Sequence, residues 1–155
     1  MQLLTLFALL GLLGSTLSKD AQPRFCKRRA RDATGTCTRA ENTLRFTYDP
    51  ETGKCDQYWH SGCRQIRSKM NSFDNYTQCM RVCNSTSICL KRPEKFTGLI
   101  PIHKTFVFDL NTMKCEKKKS LRKPSIGDGY NRFKTEKDCN NTCVPNLVLI
   151  VKSFN

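Results

Sequence analysis

One stretch of this chain, Cys55 to Cys83, recurs at an offset of 60 as Cys115 to Cys143. Cys55, Asn71, Phe73, Cys79 and Cys83 reappear as Cys115, Asn131, Phe133, Cys139 and Cys143. The aromatic run Phe46-Thr47-Tyr48-Asp49 reappears as Phe106-Val107-Phe108-Asp109. Agreement in register at so many special residue types means one structural unit used twice. One cysteine breaks the pattern, since Lys123 stands where Cys63 would be repeated. Units this small bury too little apolar surface to fold on a core alone, and need covalent staples. Ten cysteines in 155 residues supply them. Disulfides require an oxidising compartment, so the chain is expected to be exported.

The amino terminus agrees. Residues 1–18 carry no charged side chain, Leu3 to Leu13 is apolar, and Thr16-Leu17-Ser18 supplies small residues at a cleavage spacing. This predicts a signal peptide over 1–18 and a mature chain from Lys19. The apolar block is too short to span a bilayer, and no later segment is long enough. The formal net charge is +14. For an exported protein that charge points to acidic protein surfaces, sulfated polysaccharide or anionic lipid, and away from nucleic acid.

Each unit reads as a β-hairpin followed by a short helix. Leu44 to Tyr48 has the aromatic and β-branched content of a strand, and Lys54 to His60 of its return. Asp49-Pro50-Glu51-Thr52-Gly53 forms the turn between them. Asn75 to Cys83 reads as a helix capped by Asn75, with Gln78 reaching back. Cys79 and Cys83 then share one helix face. In the second unit Thr105 to Phe108 and Lys114 onward form the hairpin. Thr135-Glu136-Lys137-Asp138 caps the helix. Asn84 to Ile88 is a short linker that keeps the units close while leaving room for relative motion. The apolar tail Leu147 to Val151 is expected to pack on its own, second unit.

The order C-x10-C-x17-C-x7-C-x15-C-x3-C, with Arg45-Phe46, Gly62-Cys63, Asn71 and Phe73 as landmarks, resembles a Kunitz domain over residues 26–83. The resemblance implies a small disulfide-rich α+β fold with two tandem Kunitz domains, each a twisted β-hairpin with a C-terminal helix. Domain 1 would cover 19–83, a linker 84–88, an atypical domain 2 89–143, and a tail 144–155. It implies the pairs Cys26–Cys83, Cys37–Cys63 and Cys55–Cys79. In the second unit it implies Cys89–Cys143 and Cys115–Cys139, with Leu99 or Ile100 and Lys123 where the third bridge is missing. Each bridge contributes ~3–4 kcal/mol in the chain-entropy model. A zinc site built from the two C-x3-C pairs is the rival reading of these cysteines.

No catalytic constellation surrounds His60 or His103, so the chain is expected not to be an enzyme and to need no cofactor or metal. Kunitz domains inhibit serine proteases with a loop that the enzyme binds as substrate but does not turn over. A bridge, here Cys37–Cys63, preorganises that loop. Thr38 follows Cys37 and would enter the specificity pocket. Because the Cys37–Cys55 interval is two residues longer than usual for the family, Arg39 is the alternative occupant. Thr38 lacks the charge-assisted contact that Lys or Arg makes with an acidic pocket. His60 stands where the family has an aromatic residue and reads as a packing substitution.

The second unit carries Lys117, Lys118, Lys119, Arg122 and Lys123, a basic run read as an exosite for an acidic protein patch or for sulfated polysaccharide. Sequons begin at Asn75, Asn84 and Asn140, with Asn84 on the linker favoured for glycosylation. Taken whole, the chain is similar to the two-Kunitz tick salivary anticoagulants of the ixolaris, tissue factor pathway inhibitor-like type. That resemblance implies a secreted, monomeric inhibitor of coagulation. One unit would face factor VIIa–tissue factor, and the other would hold factor X or Xa as scaffold. The alternative is a non-inhibitory Kunitz protein that binds an ion channel or a polyanion.

Overall fold

The computed structural model describes residues 22–28, 30, 42–60, 66–93, 103–120 and 129–148. In the first half, β1 (Thr43–Asp49) and β2 (Lys54–His60) form an antiparallel hairpin in the register Thr43↔His60 to Asp49↔Lys54. Asp49 builds its turn by accepting from the Glu51 amide at 2.9 Å and the Thr52 hydroxyl at 3.0 Å. Gly53 closes it at φ 71°, a left-handed conformation that glycine adopts without steric cost. In the second half, β3 (His103–Asp109) pairs with β4 (Lys114–Ser120) in the matching register. There Met113, not glycine, takes the left-handed position, at φ 53°.

A helix follows each hairpin: α1 (Tyr76–Cys83) and α2 (Glu136–Cys143). The Asn75 side chain accepts from the Gln78 amide at 2.8 Å, and the Thr135 hydroxyl from the Asp138 amide at 3.1 Å. These caps satisfy donors that the first helical turn leaves unpaired. Gln78 reaches back to the Asp74 amide, one residue beyond the cap. Cys79 ties α1 to β2 through Cys55, and Cys83 ties its end to Cys26 in the 3-10 turn Arg24–Lys27. Cys139 and Cys143 pair with Cys115 and Cys89 in the same way. These four pairs are those the resemblance implies, and they remove the zinc alternative for the two C-x3-C pairs. The bridge expected between Cys37 and Cys63 lies outside the described residues. Among the described residues no helix is long and apolar enough to cross a membrane.

The two halves do not sit as separate bodies on a loose linker. Residues 84–91 form consecutive hydrogen-bonded turns, with Ser87 capping the 3-10 turn Ile88–Leu90. Ile88 and Leu90 pack against a buried cluster that runs from Phe46, Tyr76 and Met80 to Phe108 and Phe133. Tyr76 sits at the junction, its ring 5.3 Å from that of Phe108 and its hydroxyl donating to the Cys143 carbonyl at 2.9 Å. Where a linker with room for relative motion was expected, the two halves share a buried cluster.

The tail overturns a second expectation. Instead of packing on the second half, it crosses to the first. Its strand β5 (Leu147–Val148) joins the β2 edge in parallel, as Gln57↔Leu147 and Tyr58↔Val148. Four polar contacts lead into it. Lys54 Nζ donates to the Val144 carbonyl at 3.0 Å, and the Gln57 amide to the Asn146 carbonyl at 2.7 Å. The Asn146 amide donates to Asp56 Oδ1 at 2.8 Å, and the Tyr76 hydroxyl supplies the fourth. At this edge Lys54 and Asp56 are buried to 4% and 3% exposure, and the tail backbone supplies a hydrogen-bond partner to each. Leu147 and Val148 themselves stay exposed, so backbone pairing and not apolar burial seats the strand.

Two predictions follow from this junction. Tyr76→Phe leaves the buried Cys143 carbonyl without its donor and is expected to cost about 1–3 kcal/mol in urea unfolding. Faster hydrogen exchange at the Gln57 amide should accompany it. Burial raises the Asp56 pKa, partly offset by the Asn146 amide and Lys54. A raised folded pKa favours the protonated form, so stability from this group is full below the ordinary carboxylate range and lost as pH rises through the folded value. Asp56→Asn keeps an acceptor for Asn146 without the charge. Its stability relative to the parent should therefore rise as pH climbs from the acid end toward neutrality, read by urea unfolding across pH.

Candidate functional site

The Thr43↔His60 pair marks the open end of the first hairpin, from which the chain runs into residues 31–41 and 61–65. Cys37, Thr38, Arg39 and Cys63, the proposed loop and its clamp, lie in those segments and outside the described residues. What the structure describes is the support beneath them.

Asn71 is the centre of that support, with 5% of its surface exposed. Its Oδ1 accepts from the Tyr48 amide at 2.8 Å, and its Nδ2 donates to the Tyr48 carbonyl at 2.7 Å. The same nitrogen donates to the Arg28 carbonyl at 2.8 Å. One carboxamide thus joins the hairpin to the segment leading toward residue 31. Asn131 repeats the first two bonds on Phe108, at 2.9 and 2.7 Å. An amide suits this place because it offers acceptor and donors together, which no apolar or carboxylate side chain does.

Around it, Phe46 and Phe73 exchange backbone bonds of 2.9 and 2.8 Å, pinning the strand after the loop to the segment before α1. Arg45 reaches across to Ser72 and Asp74, at 2.9 and 2.5 Å, and Tyr58 shares a 2.5 Å hydrogen bond with Ser72. His60 is buried with its ring edge-on to Tyr58 at 6.3 Å, the packing role anticipated for it.

The cross-strand pair Leu44↔Trp59 lies beside the open end, with 39% and 42% of its surface exposed. Sequence reasoning passed over this pair. Alternation along β2 offered a signal, since Trp59 falls between Tyr58 and His60, which are both buried. An exposed tryptophan at this end of the hairpin is a natural contact for a partner.

In the second half Lys117, Lys118 and Lys119 are exposed on β4, while Arg122 and Lys123 lie outside the described residues. Glu116 pairs with Lys118 at 2.8 Å and raises its pKa through that hydrogen bond. Of the sequon asparagines, Asn75 and Asn140 are exposed. Asn84 is only half exposed and donates to the Gly53 carbonyl at 2.8 Å.

The hairpin, the helix and the crosslinks between them define a small disulfide-stapled α+β module. Residues 25–84 match the Kunitz/Bovine pancreatic trypsin inhibitor domain family. It is similar to Haemaphysalin of Haemaphysalis longicornis, 28% identical over 84% of this chain and 78% of the relative. It is similar also to the Kunitz-type serine protease inhibitor bitisilin-3 of Bitis gabonica. That match is 29% identical and covers 69% of this chain and 65% of the relative. Among solved structures, Ixolaris, determined by NMR with its Factor X interaction, aligns over 70% of this chain and 86% of its own, at 21% identity and TM-score 0.28.

Asn71→Ala should remove the three strong hydrogen bonds and leave buried backbone groups of Tyr48 and Arg28 unpaired. The expected loss is about 2–4 kcal/mol in chemical unfolding. Asn131→Ala, with two bonds at stake, should cost less.

Proposed function

We propose that this chain is an exported, two-headed Kunitz inhibitor of a coagulation serine protease. The observation that carries the reading is the Kunitz match at 25–84, on a scaffold whose open hairpin end leads into the Thr38-Arg39 segment. In this reading residues 1–18 are a signal peptide, 19–83 an inhibitory domain and 84–88 a linker. Residues 89–143 are an atypical second Kunitz domain, with a tail over 144–155. Cys37–Cys63 clamps the loop, and Thr38 or Arg39 enters the protease pocket. Leu44 and Trp59 add apolar contact beside it.

The second domain lacks the clamp and contributes Lys117, Lys118, Lys119, Arg122 and Lys123 as a basic contact surface. The protease is factor VIIa–tissue factor, with factor X or Xa held as scaffold. The shared core supports this arrangement, because it holds two weak contacts at a set spacing and so raises effective concentration. The three exposed lysines of β4 also favour a second reading, a Kunitz protein that binds a sulfated polysaccharide or channel without inhibiting a protease.

The discriminating variant is Cys37→Ser with Cys63→Ser in the mature chain. The other two bridges of the first unit keep the scaffold, as circular dichroism should verify. Inhibition of factor X activation by factor VIIa–tissue factor is expected to weaken at least about tenfold as the loop loses preorganisation. Undiminished inhibition would remove the loop from the mechanism. Absence of inhibition in the parent protein would leave the second reading.

A further inference from the structure

The offset of 60 that relates the two halves applies also to the groove that holds the tail. In the first half Tyr76, Lys54, Asp56 and the Gln57 amide grip residues 143–146. Their counterparts in the second half are Glu136, Lys114, Glu116 and Lys117. These do not meet a sixth strand: β4 has β3 as its single neighbour among the described strands. Where the first half is filled by the backbone of Cys143 and Val144, the second has an open cleft of about 350 Å³. Lys114, Glu136, Asn140 and Asn141 line it, together with Val144 and Asn146 of the chain's own tail.

The backbone beyond the cleft is aimed outward. Phe106 spends both its N–H and its carbonyl on Phe133, at 2.9 and 2.8 Å. Phe106↔Lys117 is therefore a non-hydrogen-bonded pair, and the Lys117 N–H and carbonyl point away from β3. The Gln57 amide that receives the tail is disposed in the same way, opposite Phe46. Side chains alternate along the strand, so Lys117 and Lys119 stand on one face of this edge and Glu116 and Lys118 on the other.

We infer that the open β4 edge, with the cleft at its start, docks an extended acidic peptide segment of a protein partner as an added parallel strand. A carbonyl of the peptide takes Lys114 Nζ, and a later amide takes Glu116. The carbonyl of that same residue takes the Lys117 amide, as Asn146 does on Gln57. Acidic side chains then meet Lys117, Lys118 and Lys119. Backbone bonds supply binding, and the lysines select for acid. The chain's own tail is a poor occupant, because Val144 to Asn155 contains no acidic residue and carries Lys152. This inference rests on reading Lys117 to Lys119 as a protein contact, and adds the binding mode and the chemistry of the partner.

The test is an NMR titration of the isotope-labelled mature protein with a short peptide of alternating Glu and Val. Two further peptides have alternate backbone nitrogens methylated, in one phase or the other. The parent peptide is expected to shift the Lys117 and Lys119 amide signals. One methylated peptide should bind at least about tenfold more weakly and the other equally well, since only one set of amides faces the edge. Lys117→Glu with Lys119→Glu should weaken the parent peptide by a similar factor. Equal binding of both methylated peptides would overturn strand addition while leaving a side-chain exosite intact. Binding of a heparin-derived oligosaccharide but of no peptide would overturn both. Concentration-dependent dimerisation through these amides, without peptide binding, would make the occupant a second copy and likewise overturn the inference.

Discussion

Two crosslinks from helix to hairpin, Cys55–Cys79 and Cys115–Cys139, set the frame on which everything else is hung. A helix of eight residues is marginal on its own, and an isolated hairpin equally so. Joined covalently, each limits the conformations the other has to give up. Within that frame the buried carboxamides of Asn71 and Asn131 do what apolar packing cannot. They hold backbone groups of the hairpin in a place that water does not reach. The Asn71 amide also holds Arg28, so the segment entering the proposed inhibitory loop is anchored by the same group that fixes the strand leaving it.

The junction between halves adds a level of order that the crosslinks do not supply, since every described disulfide closes within one half. Docking is achieved by one aromatic, Tyr76, and by a strand laid on an otherwise open edge. Burying Lys54 and Asp56 together is costly unless both are hydrogen-bonded, and the tail backbone provides those bonds. The same strand covers an edge that would invite pairing with other chains. Direct packing between the two halves suits a protein proposed to hold two surfaces at once.

The repeat itself explains why the halves can differ in use. At the equivalent positions the first half has Tyr76 and Met80, both buried at the junction, whereas the second has the exposed Glu136 and Asn140. One copy of the surface is apolar and receives the neighbouring half. The other is polar and stays in solvent. The left-handed residue at the hairpin turn diverges too, from Gly53 to Met113, a change that adds a side chain packed against the core.

Local order was legible from residue types alone. Turn chemistry at Asp49 to Gly53, caps at Asn75 and Thr135 and the period of the strands are short-range effects, decided by neighbours within a few positions. The repeat of cysteines and asparagines carried the pairing by resemblance, and the module class with it. The destination of the tail was not legible, because Leu147 to Val151 reads as apolar whichever half it meets. Only the folded chain brings buried Lys54 and Asp56 within reach of its backbone, and unsatisfied polar groups, not side-chain hydrophobicity, decide where that strand goes.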